Sequence, residues 1–172
     1  MFVPSLSCIF LLGFMYCGKT TIGKAWAATL NYDFADTDDL VEEYCNKTIA
    51  EIFATEGEKK FRQYEREVLH SLLYRENLVV ACGGGLPCFF DNMERMNACG
   101  TTVYLKADVE LLAQRIEKEN NKHRPLLEGK TGLELRQHIE SLLLEREKYY
   151  RQARIIENCT LILSHKLFAA HL

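Results

Sequence analysis

Several features that would point to other classes of protein are missing from this sequence. Lys and Arg number 21 against 24 Asp and Glu, and the formal net charge is −3. A nucleic-acid-binding protein usually carries a basic surface, so nucleic acid is not expected as a partner and any anion site must be local. No apolar run after the N-terminal segment approaches the roughly 18 residues that a bilayer span requires, so no membrane segment is expected either.

Cysteine pairing is also missing. The seven cysteines are scattered from Cys8 to Cys159 without a C-x-x-C pair, which argues against a zinc ribbon or a redox motif. We therefore expect reduced, mostly buried thiols in a cytoplasmic protein. The segment from Met1 to Tyr16 is apolar but lacks the basic start of a signal peptide, and cleavage there would destroy the motif described below.

Linkers, repeats and low-complexity segments are absent, so residues 1–172 are expected to form one domain. Short apolar runs alternate with longer segments in which apolar residues recur every three or four positions, as in amphipathic helices. This alternation predicts a three-layer α/β/α fold around a five-stranded parallel sheet. The predicted strands are Cys8–Leu12, Tyr32–Ala35, Leu78–Cys82, Thr102–Leu105 and Thr160–Leu163. The predicted helices follow the apolar residues of 22–30, 61–73, 109–116 and 135–143.

A glycine-rich motif follows the first predicted strand and precedes a predicted helix. Residues 13–20 fit G-x-x-x-x-G-K-[ST] at every fixed position, a loop whose backbone N–H groups bind phosphate. Lys19 is expected to reach the β- and γ-phosphates, and the Thr20 hydroxyl to bind Mg²⁺. The motif therefore predicts a nucleoside triphosphate site. Its predicted nucleotide-binding residues are Gly13, Tyr16, Cys17, Gly18, Lys19, Thr20 and Thr21.

Three further clusters fall where ligands of a parallel sheet bind, near the carboxyl ends of strands. Asp36 and Asp38 follow the second predicted strand and suit a metal and a substrate hydroxyl, although Thr37 or Asp38 would equally serve as a helix N-cap. Arg62 and Glu65 lie one helical turn apart, which is also the spacing of an ordinary surface ion pair. The glycines of 83–85 follow a buried strand and favour close approach of a ligand.

Taken together, these motifs resemble those of shikimate kinases. The chain has D-x-D after the second strand, F-R-x-x-E on a helix, G-G-G after the third strand, L-x-x-R at 112–115, R-P-L-L at 124–127 and R-x-x-x-Y at 146–150. The resemblance covers about residues 9–163. It implies a P-loop nucleotide-binding fold with a mobile lid at about 119–130 and a substrate-binding helical region at about 36–65. It also implies a monomer that uses ATP and phosphorylates the 3-hydroxyl of shikimate.

The resemblance assigns roles residue by residue. Lys19, Asp38 and Arg124 would be catalytic, with Asp38 orienting the reacting hydroxyl and Arg124 moving over the phosphates. The substrate-binding residues would be Asp38, Arg62, Gly83, Gly84, Gly85 and Arg146, with the two arginines on the carboxylate. Thr20 and Asp36 would hold Mg²⁺. Arg115 and Arg124 would join the ATP-binding residues, with Arg115 against the adenine.

One departure concerns Tyr16, which stands where the family often has glycine; it either alters the backbone of the loop or lies on its rim. Two other functions stay open at this point. The chain could be another small-molecule P-loop kinase, of the gluconate or nucleotide type, or an ATP-binding module without catalysis. Turnover on an added acceptor would separate a kinase from such a module.

Overall fold

The computed structural model of the chain describes residues 8–119, 127 and 129–162. Its five strands form one parallel sheet in the order β2-β3-β1-β4-β5, which confirms the predicted fold class. The central strands are aliphatic and buried on both faces, as parallel strands covered by helices must be. The strands are β1 Cys8–Leu12, β2 Asp33–Asp36, β3 Leu78–Ala81, β4 Thr101–Lys106 and β5 Ile155–Asn158.

Helices cover both faces of the sheet. Along β1, Phe10 and Leu12 pack into one apolar cluster while Ile9 and Leu11 pack into another, because alternate side chains of a strand point to opposite faces. The two clusters are the two cores of a three-layer fold. The helices are α1 Lys19–Leu30, α2 Thr37–Cys45, α3 Ile49–Thr55, α4 Gly57–Leu72, α5 Asn92–Cys99, α6 Val109–Lys118, α7 Gly132–Tyr150 and α8 Cys159–Ile162, with a 3₁₀ helix at Leu86–Cys88.

The prediction for the fifth strand was wrong. The strand that pairs with β4 is Ile155–Asn158, and Thr160 belongs to α8. β5 lies at the edge of the sheet and alternates exposed and half-buried residues, so it lacks the continuous apolar run expected of a central strand. The apolar periodicity did not predict α2, α3 and α5 as separate helices, although the family resemblance implied a helical region at about 36–65, where α2 and α3 lie.

The strand order brings three loops together. Asp36 at the end of β2 lies beside Ala81 at the end of β3, and Ala81 lies beside Leu11 near the end of β1. The segments that follow these strands are the glycine-rich loop, Asp36–Asp38 and the three glycines, so all three meet at one edge. Along the described residues, no helix has the length and apolar character that crossing a bilayer requires.

Candidate active site

The glycine-rich loop wraps back on itself between β1 and α1. Gly13 and Gly18 have φ angles of 140° and 103°, which side chains rarely adopt. A β-carbon at Gly13 would also lie 2.7 Å from the carbonyl oxygen of Leu105. The Lys19 Nζ donates to the carbonyls of Gly13 and Phe14, both at 2.9 Å. The lysine ammonium is therefore folded over the loop, where the phosphates of a nucleotide would bind.

Tyr16 adopts a glycine-like backbone in this loop. Its φ is 65°, so the tyrosine takes on the left-handed conformation that a glycine at this position would adopt without strain. Nη1 of Arg115, from α6, donates to the Tyr16 carbonyl at 2.8 Å. Tyr16 and Arg115 both line the pocket next to the loop. The contact of Arg115 with an adenine stays a prediction.

Thr20 and Asp36 come together although 16 residues separate them. The Thr20 hydroxyl donates to Oδ2 of Asp36 at 2.8 Å, and Oδ1 of Asp36 accepts from the backbone N–H of Asp38 at 3.0 Å. Asp36 is thus the N-cap of α2, so the assignment of that cap to Thr37 or Asp38 was wrong. Burial, and then the neighbouring Asp38, raise the pKa of Asp36. A hydroxyl and a carboxylate are oxygen ligands that fit Mg²⁺, which would also relieve this crowding of negative charge.

Arg62 and Glu65 of α4 form a buried ion pair. Nη1 of Arg62 lies 2.6 Å from Oε2 of Glu65, and their side chains are only 5% and 2% exposed, which excludes an ordinary surface pair. Glu58 takes a second edge of the same guanidinium, accepting from Nε at 3.2 Å and from Nη2 at 2.7 Å. Burial raises the pKa of Glu65 to about 7, and the nearby Asp38 adds to this rise, while Arg62 opposes it.

The three glycines pass through the centre of the site. The backbone N–H of Gly83 donates to the Thr37 hydroxyl at 2.7 Å, which joins the turn to the start of α2. A β-carbon at Gly83 would lie 2.6 Å from Oδ1 of Asp38, and one at Gly85 would lie 2.5 Å from Nη1 of Arg62. Side chains at these positions would displace the groups predicted to bind substrate, so glycine is needed here for close approach.

Arg146 reaches the same pocket from α7. It is buried, and its Nη1 has no hydrogen-bond partner among the described residues. Its guanidinium carbon lies 5.7 Å from the centroid of the Phe14 ring. One helical turn further on, the Tyr150 hydroxyl donates to the carbonyl of Gly84. An unsatisfied buried arginine donor costs free energy unless a ligand anion accepts from it, which makes this side of the pocket suited to a carboxylate.

Two adjoining pockets result from this arrangement, and both are lined by Met15, Asp38 and Gly84. The acceptor pocket is lined by Met15, Asp38, Ile49, Phe53, Phe61, Arg62, Glu65, Gly84, Gly85 and Arg146. The nucleotide pocket is lined by Met15, Tyr16, Gly18, Lys19, Thr20, Thr21, Asp36, Asp38, Cys82, Gly83, Gly84, Arg115 and Glu119. Asp38 therefore stands at the boundary, where a phosphoryl group would pass from one ligand to the other.

Some residues behave differently from their predicted roles or were missed. Cys17 is fully buried, so only its backbone could face a phosphate. Met15 lines both pockets, and Ile49 and Phe53 form an apolar wall, yet none of these was predicted. A signal for that wall existed, because Thr48 and Glu51 form a capping box that starts α3. Arg124 and most of the predicted lid at 119–130 lie outside the described residues.

Comparison with known proteins decides between the kinases that share this fold. The family model for shikimate kinase matches residues 15–172. The chain belongs to the shikimate kinase family. A shikimate kinase from Azobacteroides pseudotrichonymphae is 48% identical over 149 residues, covering 86% of this chain and 87% of the relative. One from Bacteroides fragilis is 46% identical over 148 residues, covering 86% of this chain and 82% of the relative.

Solved structures agree with this family. A shikimate kinase from Bacteroides thetaiotaomicron has a TM-score of 0.84 at 44% identity, covering 89% of this chain and 86% of that one. The shikimate kinase of Acinetobacter baumannii, in complex with shikimate, has a TM-score of 0.82 at 36% identity, covering 95% and 97%. A gluconokinase from Sinorhizobium meliloti reaches a TM-score of 0.50 at 15% identity, which shows a shared fold only. As a member of the shikimate kinase family, the protein is an ATP-dependent kinase, and the gluconate and nucleotide alternatives are not favoured.

Proposed function

We propose that this chain transfers the γ-phosphoryl group of ATP to the 3-hydroxyl of shikimate, giving shikimate 3-phosphate and ADP on the route to chorismate and the aromatic amino acids. One observation carries the proposal: the nucleotide pocket and the acceptor pocket meet at Asp38 and Gly84. A hydroxyl bound at Asp38 would therefore lie next to the terminal phosphate. Phosphoryl transfer depends on such in-line positioning more than on covalent chemistry by the protein.

The acceptor pocket is suited to a carboxylated polyol. Arg62 and Arg146 supply two buried guanidinium groups, and one donor of Arg146 is unsatisfied, so together they would bind the carboxylate. The backbone of Gly84 and Gly85, which line this pocket, would lie against the ring. Asp38 would accept a hydrogen bond from the reacting hydroxyl, orient it and take its proton as the new bond to phosphorus forms.

The nucleotide side would neutralise the charge of the phosphates. The backbone of residues 13–18 would surround the phosphates, and the Lys19 ammonium would turn from the loop carbonyls to the β- and γ-phosphates. Thr20 and Asp36 would hold Mg²⁺, which when bound withdraws charge from the phosphates and orders them. We retain Arg124 as a second charge-neutralising side chain, as the family resemblance implies, and Arg115 as a residue near the adenine.

Two further properties are part of the proposal. The family resemblance implies that the protein is active as a monomer. All seven cysteines are free, which supports a reducing, cytoplasmic location. A single species of the monomer's mass by light scattering, at the concentrations used for assays, would support the first property, and a dimer would contradict it.

A coupled ADP-release assay tests the function. Mg-ATP is supplied with shikimate, gluconate, a nucleoside monophosphate or no acceptor, and we expect turnover with shikimate alone. Arg62→Lys keeps the charge but loses the planar fork, so it should raise the KM for shikimate at least tenfold. Arg151→Lys, at the exposed C-cap of α7, is the matched control and should behave as wild type. Turnover on another acceptor would overturn the substrate, and ATP binding without turnover would indicate a non-catalytic module.

The metal site can be tested separately. Asp36→Asn should raise the Mg²⁺ concentration needed for half-maximal turnover, because a neutral amide is a weaker ligand than a carboxylate. Asp33→Asn, an exposed change on the same strand, should leave that concentration unchanged. An unchanged Mg²⁺ requirement in Asp36→Asn would remove Asp36 from the proposed metal site.

A further inference from the structure

Aromatic rings contact the faces of the Arg62 guanidinium, whose edges are hydrogen-bonded to Glu58 and Glu65. Its guanidinium carbon lies 4.3 Å from the centroid of the Phe89 ring and 5.0 Å from that of Phe61. Phe61 is its neighbour on α4, but Phe89 comes from another segment, just after the 3₁₀ helix at Leu86–Cys88. The face of an aromatic ring attracts a cation, so Phe89 restricts the plane in which the Arg62 guanidinium can lie.

Two donors of Arg62 make no hydrogen bond to a described residue and could bind a ligand. A guanidinium has five N–H groups, of which one on Nε and one on Nη2 go to Glu58 and one on Nη1 goes to Glu65. One N–H therefore remains on each terminal nitrogen. A carboxylate accepts two parallel N–H bonds only when the guanidinium plane is oriented towards it. Carboxylate binding thus depends on the orientation of the Arg62 guanidinium plane, which Phe89 restricts.

The segment that carries Phe89 is strained and anchored. Phe90 has a φ of 53°, an uncommon conformation for a bulky residue that persists only where surrounding contacts enforce it. Arg66, one turn after Arg62 on α4, lies 4.9 Å from the centroid of the Phe90 ring. The consecutive rings of Phe89 and Phe90 thus each contact one arginine of α4. Asp91 completes the anchor, accepting from Arg66 at 3.2 Å and from Arg95 at 2.6 Å.

We propose that Phe89 is a positioning residue for substrate binding, which acts by holding the Arg62 guanidinium in the plane that receives the substrate carboxylate. Phe90, Arg66 and Asp91 hold Phe89 in place. The inference rests on the proposed role of Arg62 and adds to it a residue outside the lining of the acceptor pocket. If the proposal is right, tight binding of the substrate carboxylate requires an aromatic ring at position 89, and an aliphatic side chain of similar volume cannot replace it.

Two substitutions at position 89 test whether an aromatic ring is required there. Phe89→Leu keeps an apolar side chain but loses the ring, so we expect the KM for shikimate to rise roughly five- to twentyfold while the KM for ATP stays unchanged. Phe89→Trp keeps an aromatic face and should stay close to wild type. Tyr74→Leu removes an exposed aromatic side chain elsewhere and is the matched control. Thermal unfolding of each variant shows that it is folded.

A neutral inhibitor distinguishes two possible effects of Phe89→Leu, a changed orientation of Arg62 and a general loss of packing around the pocket. The probe is a shikimate analogue whose carboxylate is replaced by a hydroxymethyl group, compared with a non-reactive analogue that keeps the carboxylate. Phe89→Leu should raise the inhibition constant of the carboxylate analogue several-fold and leave that of the neutral analogue nearly unchanged. Equal losses for both analogues, or a Phe89→Trp variant as impaired as Phe89→Leu, would overturn the proposal.

The role of Arg62 and the role of Phe89 can be tested separately. If wild type turns over shikimate and Arg62→Lys raises its KM, but Phe89→Leu matches wild type, then only the role of Phe89 is wrong. If wild type does not use shikimate, or Arg62→Lys leaves its KM unchanged, the assigned role of Arg62 fails and the role of Phe89 fails with it.

Discussion

The phosphate loop and the acceptor pocket lie side by side but are built in different ways. The loop is one segment of eight residues, 13–20, and it would bind phosphate largely through backbone groups and the Lys19 ammonium. The acceptor pocket takes side chains from α2, α3, α4 and α7 together with the glycines after β3. Phosphate is recognised by a local conformation that recurs in many proteins, whereas a carboxylated ring needs charges placed by the whole fold.

This difference predicts where substitutions will act. Changes in the loop should impair the transfer step and leave acceptor affinity intact, while changes around Arg62 should impair acceptor affinity first. Asp38 and Gly84 line both pockets, so substitutions there should impair both the transfer step and acceptor affinity.

The loop lysine should have the largest effect. Lys19→Met removes the ammonium that would neutralise the phosphates in the transition state, so kcat should fall by about 10²- to 10³-fold while the KM for shikimate changes little. Steady-state kinetics with shikimate varied at saturating ATP measures both quantities. Lys24→Met, at an exposed position on the same helix, is the control. A large rise in the KM for shikimate in Lys19→Met would mean that the two pockets are not independent.

The glycine turn should show graded effects over three consecutive positions. Gly85→Ala places a β-carbon 2.5 Å from Nη1 of Arg62, so the arginine must move, and kcat/KM for shikimate should fall about 10²-fold. Gly84→Ala meets its nearest atoms at 3.4 Å and should be milder. This pair is its own control, since both substitutions lie in the same turn. If Gly84→Ala proved the more damaging, the close approach of Gly85 to Arg62 would not be what determines activity.

Glu65 should make the stability of the acceptor pocket depend on pH. Its pKa of about 7 in the folded protein lies above the usual 4.5, so the folded state retains a proton that the unfolded state has lost between these values. This stabilisation is complete below about pH 4.5 and is lost as the pH rises through about 7. Relative to Glu65→Gln, which does not titrate, wild type should therefore lose about 3 kcal/mol of unfolding free energy across this window.

Denaturant titrations at pH 5 and pH 8 measure this loss. Glu140→Gln, at an exposed site on α7, should follow the pH dependence of wild type. Parallel curves for wild type and Glu65→Gln would show that Glu65 is ionised throughout, with Arg62 outweighing the effect of burial.

Tyr16 should give the smallest effect. Because its φ of 65° suits glycine better than tyrosine, Tyr16→Gly should relieve strain and, after the greater chain entropy of glycine is subtracted, raise the unfolding free energy by about 0.5 kcal/mol. Asn31→Gly, at a φ of 55° that asparagine tolerates, should gain less. A less stable Tyr16→Gly variant would show that contacts of the tyrosine side chain outweigh its backbone strain.

Sequence patterns predicted the fold well wherever the signal was local. The strands β1 and β3 were predicted within one residue. The helix with Phe61, Arg62 and Glu65 was predicted too, although it begins at Gly57, four residues earlier than expected. β5 was misplaced because Ile155–Asn158, as an edge strand, lacks a continuous apolar run, while a more apolar segment follows it. The helix α3 was missed although its capping box at 48–51 was present.

The residues of the candidate site could be predicted from the sequence, but the contacts between them could not. The sequence indicated that Asp36, Arg62 and the glycines of 83–85 belong together, with the family resemblance supplying their roles. It did not indicate that Asp36 both caps α2 and accepts from Thr20. Nor did it indicate that Phe89 lies on the face of Arg62, since that contact joins residues 27 positions apart.

Sequence patterns alone were enough to predict the phosphate loop, the parallel α/β class and the family, because each depends on short spacings or on the local periodicity of apolar residues. The fold was needed to show which carboxylates share Arg62, which donor of Arg146 has no partner among the described residues and which residues line both pockets. These depend on the strand order, which places the ends of β1, β2 and β3 side by side. Burial there removes the water that would otherwise weaken each charge interaction, so their strength arises only in the folded chain.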